Sequence, residues 1–231
     1  MSPINLAALT LFAAAWLFYE PLLTRFAKRR GGVLNTDMTV IRARWMANMA
    51  ARENRFMDGQ LLGHALNSAS FFASSNLILI AASAGALFGG EHTFASVSAL
   101  VVVQTSSRFL FELQLALVLV TLARGLLDFI WSIRQLNYCI AAVGAVPDPM
   151  AEAERPAYAD AVARLINPAL GAFNAGVRGY YFALAAAAWL FGPWAFMLTT
   201  AGAVTLLVWR QRSSAAARAI RDLRQLLEGP R

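Results

Sequence analysis

Apolar residues in this chain fall in long blocks, not in short alternating stretches. Residues 4–23, 68–88 and 109–133 are each close to the about 20 residues a helix needs to cross the hydrocarbon of a bilayer. A further apolar stretch, "GYYFALAAAAWLFGPWAFMLTTAGAVTLLVWR", is interrupted by Gly192 and Pro193. Proline disfavours helical geometry at the preceding residue and donates no backbone hydrogen bond, so this stretch is predicted to form two short spans, 174–191 and 194–210. The predicted fold class is an all-α integral membrane protein with five transmembrane helices, the alternative being four with a single span in the last stretch.

Between these blocks the period changes. Over residues 36–66, Met38, Ile41, Trp45, Met49, Phe56 and Met57 recur at helical spacing, while Arg42, Arg44, Arg52 and Arg55 lie elsewhere. This predicts an amphipathic cytoplasmic helix, capped by Thr36 or Asn35 and running without interruption into the second span. Residues 151–173 read as a second, weaker cytoplasmic helix. Residues 213–228 place Ile220, Leu223 and Leu227 on one face and arginines on the other, as a basic helix lying on a membrane surface would.

Composition supports the membrane reading. Of 231 residues, 58% are hydrophobic and 14% charged, against about 45–50% and about 25% in soluble domains. The net charge of +7 is concentrated in two blocks: residues 23–66 hold eight Arg/Lys against three acids, and residues 210–231 hold six against two. Segment 89–107 has neither Lys nor Arg. Basic loops stay cytoplasmic and meet anionic lipid, which puts the amino terminus outside and the carboxyl terminus inside a multi-pass protein of a bacterial inner membrane. The expected partners are the bilayer, anionic lipid at the basic loops, further copies of the chain as a homo-oligomer and a possible second protein; nucleic acid is set aside. The first apolar block has no basic residue ahead of it and is expected to be retained as a span.

Catalytic signals are poor. No nucleophile-elbow, phosphate-loop, dinucleotide or zinc-protease motif occurs. Cys139 is the single cysteine, and His64 and His92 fall on opposite sides of the membrane in this topology, so neither a metal nor a cofactor is expected and enzyme activity is the less favoured reading.

The polar residues inside the spans are the candidate chemistry. Asn67, Ser70 and Ser74 share one face of the second span, with Ser68, Ser75 and Asn76 nearby; the third span carries Gln114, Thr121, Arg124 and Asp128, and Arg108 with Glu112 at its outer end. Small polar side chains let membrane helices pack closely, and a pore lining needs the same residue types. The Arg124–Asp128 and Arg108–Glu112 pairs are spaced i, i+4 and can neutralise themselves on one helix face. The "RENR" segment, with Arg52, Glu53, Arg55 and then Asp58, reads as a salt-bridge network, an anion or nucleotide site, or a lipid contact.

Taken in order, "RARWM" (42–46), "ARENR" (51–55), "NSASFFASS" (67–75), "RQLNYC" (134–139) and "YYFALAAAAWLFGPWAFM" (180–197) resemble the landmarks of a membrane family catalogued as domain-of-unknown-function family five-nine-nine, with bacterial and plant members. The resemblance covers roughly residues 4–212. It implies an integral membrane protein and carries over no activity and no site residue.

The expected function is a channel or transporter for a small solute or ion, with Asn67, Ser70, Ser74, Asn76, Gln114, Arg124 and Asp128 along the path and Arg52, Glu53, Arg55 and Asp58 as a cytoplasmic vestibule. The alternative is a non-transporting scaffold or assembly factor that grips a partner through Met38, Trp45 and Met49.

Overall fold

The computed structural model describes residues 2–30, 33–100, 103–104 and 107–229, with side chains described outside 26–30. Parts of the predicted outer segment, 101–102 and 105–106, and the side chains of Lys28, Arg29 and Arg30 in the first basic block lie outside the described residues. Among the described residues there is no strand. The helices are α1 (Pro3–Arg30), α2 (Leu34–Ala51), α3 (Phe56–Phe88), α4 (Gly90–Ser98), α5 (Arg108–Gly144), α6 (Arg155–Ala187), α7 (Pro193–Arg212) and α8 (Ala215–Glu228), with a short 3-10 turn, Ala188–Phe191, between α6 and α7. Pro3–Arg25, Phe56–Phe88 and Arg108–Gly144 are long and apolar enough to span a membrane.

The predicted continuous helix through residues 36–88 is broken. α2 stops at Ala51, Arg52 is extended (φ −81°, ψ 144°) and α3 begins at Phe56. No proline or glycine causes the break. Asn54 instead ends the loop by accepting the Phe56 backbone N–H on its side-chain oxygen at 2.9 Å, an alternative to helix continuation that short amide side chains offer. Neither Thr36 nor Asn35 caps α2. Its cap is Val33, with no side-chain bond, and the Asn35 backbone N–H is taken by Gln211 Oε1 at 3.2 Å.

The chain turns between α6 and α7 at Gly192, whose φ of 105° suits a residue without a Cβ. A Cβ there would also come within 2.5 Å of the Gln104 side chain. Beyond the turn, Thr199 Oγ1 lies 3.5 Å from the Ala185 carbonyl, so α7 folds back along α6.

Two compact units form. The first comprises Met1–Phe26, Ser74–Leu127 and Gly176–Val208. Its core is aromatic: Phe12 is fully buried against Phe182 and Phe196, with ring centroids 5.9 and 5.1 Å away, and Trp189 stacks on Phe196 at 4.9 Å. The second comprises Ala27–Ala73, Asp128–Ala175 and Trp209–Arg231. Met46 and Met49 of α2, Leu62 of α3, Leu136 and Cys139 of α5 and Ile166 of α6 form its centre. Phe72, Phe129 and Phe173 form an aromatic trio with centroids 5.7 to 5.9 Å apart.

α8 is held to α2 more closely than a free surface helix. Ser214 caps it by accepting the Ala217 N–H at 3.1 Å, and Arg224 reaches the buried Asp37 at 2.8 Å. The face turned inward carries Ala217, Ile220, Arg224 and Leu227, while Leu223, expected on the apolar face, is exposed.

Candidate functional site

The "RENR" segment and the loop before α6 build a site within the second unit. Arg52, Glu53 and Arg55 occupy the α2–α3 break and line a cavity of about 220 Å³ together with Asp148, Pro149, Met150 and Arg155. The break itself gives Arg52 its position. Asp58, in the first turn of α3, is completely buried, and its Oδ1 accepts from Arg52 Nη1 at 2.5 Å and from Trp45 Nε1 at 2.7 Å. A buried carboxylate demands such donors, since an unpaired one is strongly destabilising. The four residues of the predicted cytoplasmic cluster are thus brought together, at the edge of a loop and not along a straight helical rod.

Sequence reasoning missed Arg155 and Asp148. The available signal was Arg155 immediately before Pro156, because proline favours the first turn of a helix and so marks where α6 begins. Two further charged groups were missed in the first unit: Arg178 of α6, largely buried, donates to Glu20 of α1 at 2.6 Å, beside the buried Tyr19 hydroxyl.

The face assigned to a partner protein is turned inward. Met49 is fully buried, Met38 and Trp45 are half-buried, and Trp45 is committed to Asp58. Phe56 and Met57, expected to continue that face, are exposed, because the loop at 52–55 shifts the helical phase. Arg42, expected off the apolar face, is buried with no partner for its Nε, and burial pushes its pKa down.

The polar candidates within the apolar runs divide by exposure. Asn76 Nδ2 donates to the Leu122 carbonyl at 2.8 Å and Gln114 Nε2 to the Trp189 carbonyl at 2.9 Å, both buried. Thr121 bonds to carbonyls of its own helix. Asn67, Ser70 and Ser74 are exposed along α3, as is Arg124 on α5, where Asp128 is half-buried. Arg108 pairs with Glu112 at 2.8 Å and with Glu91 of α4 at 3.3 Å, at an exposed position. His64 lies on α3 and His92 on α4, both exposed. Among the described residues, no group of three or more His, Cys, Asp or Glu is placed to hold a metal ion.

The sequence landmarks fall at the break at 52–55, along the middle of α3 and at the turn at Gly192. A family model described as "Protein of unknown function, DUF599" matches residues 7–216. The chain belongs to that family. The DUF599 match takes in α2 to α7 entire and stops just inside α8, so the site at the α2–α3 break lies within the matched region. Neither the curated proteins nor the solved structures yield a match to this DUF599 chain.

Proposed function

We propose that the protein is a multi-pass inner-membrane channel or transporter for a small solute or ion, assembled as a homo-oligomer. The observation that carries this reading is the outer face of α3. Its most apolar stretch is only 11% buried within the chain, and Asn67, Ser70 and Ser74 stand exposed on the same helix. Lipid accommodates the exposed Leu77 and Ile78 of α3 without penalty, but an amide facing hydrocarbon is unfavourable unless water or another helix meets it. Copies of the chain joined at α3 supply that contact, and small polar residues are the usual material of such contacts.

In this reading α1, α3 and α5 cross singly, and α6 and α7 cross as a hairpin about Gly192, giving five spans with the amino terminus outside. The α3 face lines the path, Arg124 and Asp128 gate it, and Asn76 and Gln114 hold the helices that carry it.

Native mass spectrometry of the nanodisc-extracted particle tests the assembly: a closed homo-oligomer is expected, and a monomer would remove the basis for a shared path. Flux into proteoliposomes tests conduction. Arg124→Ala and Asp128→Asn are expected to change it, and unchanged flux in both would reject the gate.

A further inference from the structure

The charged groups that line the cavity at the α2–α3 break differ in exposure: Arg55 and Arg155 are half-buried, whereas Arg52 is exposed. The Nε atoms of Arg55 and Arg155 are buried without a hydrogen-bond partner. Glu53 and Asp148, which also line it, are exposed to water. Arg52 is already held by Asp58. Two guanidinium Nε donors are therefore withdrawn from water and unfilled on half-buried arginines, while the carboxylates beside them stand in water. A buried donor without an acceptor is a standing penalty, and the groups that relieve it best for a guanidinium are planar or tetrahedral oxyanions that take two parallel N–H bonds.

The helices reinforce this sign. Arg155 is the first residue of α6 and Arg55 immediately precedes α3, so the amino-terminal ends of two long helices border the cavity. Each adds partial positive charge.

We propose that this cavity binds a phosphate monoester, with Arg55 and Arg155 as its clamps. Its volume of about 220 Å³ is below the range of about 300–1,000 Å³ common for drug-sized ligands, which fits a phosphate bearing a small polar group better than a nucleotide. The exposed Glu53 and Asp148 suit a hydroxyl or ammonium on that group and disfavour a bare polyanion. The same chemistry is offered by a soluble phosphorylated metabolite and by the headgroup of phosphatidic acid. The inference does not rest on the conduction path.

Both sources are tested on the full-length protein. Glycerol 3-phosphate is titrated calorimetrically into protein held in phosphatidylcholine nanodiscs, and phosphatidic acid retention is read by native mass spectrometry from nanodiscs doped with that lipid. Saturable binding in the first arm identifies a soluble ligand; retention in the second alone identifies a lipid. Arg55→Gln and Arg155→Gln are each expected to weaken binding about tenfold or more, whereas Arg164→Gln, at an exposed pair with Asp160 elsewhere on α6, leaves it unchanged. Ala51→Trp, which fills the cavity while keeping every arginine, guards against loss through misfolding and is expected to abolish binding at unchanged helix content. Absence of binding in both arms overturns the proposal, as does binding that is indifferent to all three cavity variants.

Discussion

Gly125 and Gly179 bring the backbones of α5 and α6 into direct contact: a Cβ built at Gly179 would stand 3.2 Å from the Gly125 Cα. Asn76 of α3 meets them there: its Nδ2 would stand 3.5 Å from a Cβ built at Gly125, and it donates to the Leu122 carbonyl. Three helices of the first unit thus meet at one point, where two missing side chains allow the approach and one amide fastens it. In the proposed membrane setting, helices gain little from burying apolar surface against one another, and close packing of this kind carries most of their association.

Gly179→Leu is expected to destabilise the protein by about 1–3 kcal/mol through overpacking, with Gly179→Ala milder. Thermal unfolding in detergent, followed by helix content, measures both. A Leu variant as stable as the wild type would show that the approach is not tight.

Trp189 is fixed by two polar bonds as well as by stacking. Its Nε1 donates to Asn5 Oδ1 at 2.8 Å, and its carbonyl accepts from Gln114. Trp189→Phe keeps most of the ring but leaves the Asn5 oxygen unsatisfied, a loss of about 1–3 kcal/mol. In the double variant with Asn5→Ala, most of that loss is expected to be shared between the two sites. Additive effects would mean that the bond contributes nothing.

Asp58→Ala removes the acceptor that Arg52 and Trp45 share. The exposed side of Arg52 is free to find water, so the expected destabilisation is moderate, about 2 kcal/mol. Limited proteolysis is expected to cut first within residues 52–55, the segment that Asp58 ties down.

The helical segments were legible in the sequence because an apolar block or a helical period needs only neighbouring residues to be read. The break at 52–55 was not, since it arises from the Asn54 side chain and from donors converging on Asp58, and neither carries the glycine or proline signature of a loop. The same limit hid Arg155, which joins Arg52 and Arg55 only through tertiary folding. Asn76 and Gln114 were visible as polar residues in apolar runs, but the carbonyls they meet, on Leu122 and Trp189, belong to distant helices that no spacing rule connects.

Arg224→Ala leaves the buried Asp37 carboxylate without the cation that reaches it. α8 is then expected to detach from α2, exposing residues 213–214 to protease at concentrations the wild type survives. Arg224→Lys, which keeps the charge but not the fork that also engages Glu228, is expected to fall between them. Equal protection in all three proteins would place the hold on α8 elsewhere.

Cysteine accessibility tests the proposed topology. In a Cys139→Ser background, Ser98→Cys on α4 is expected to react with an impermeant maleimide on intact cells, and Ser213→Cys only after lysis. Reaction of both on intact cells would favour the four-span alternative.

The bond between Asn5 and Trp189 also bears on biogenesis, because its partners are 184 residues apart in the chain. At roughly 5–20 residues per second of synthesis, α1 emerges roughly 10–40 s before the residue that will satisfy its buried amide exists. In the proposed membrane topology, the first helix waits out that interval in the bilayer or in the grip of the insertion machinery. A chain truncated ahead of the Gly192 turn keeps all three of its most apolar helices and still lacks half of the hairpin that completes their packing.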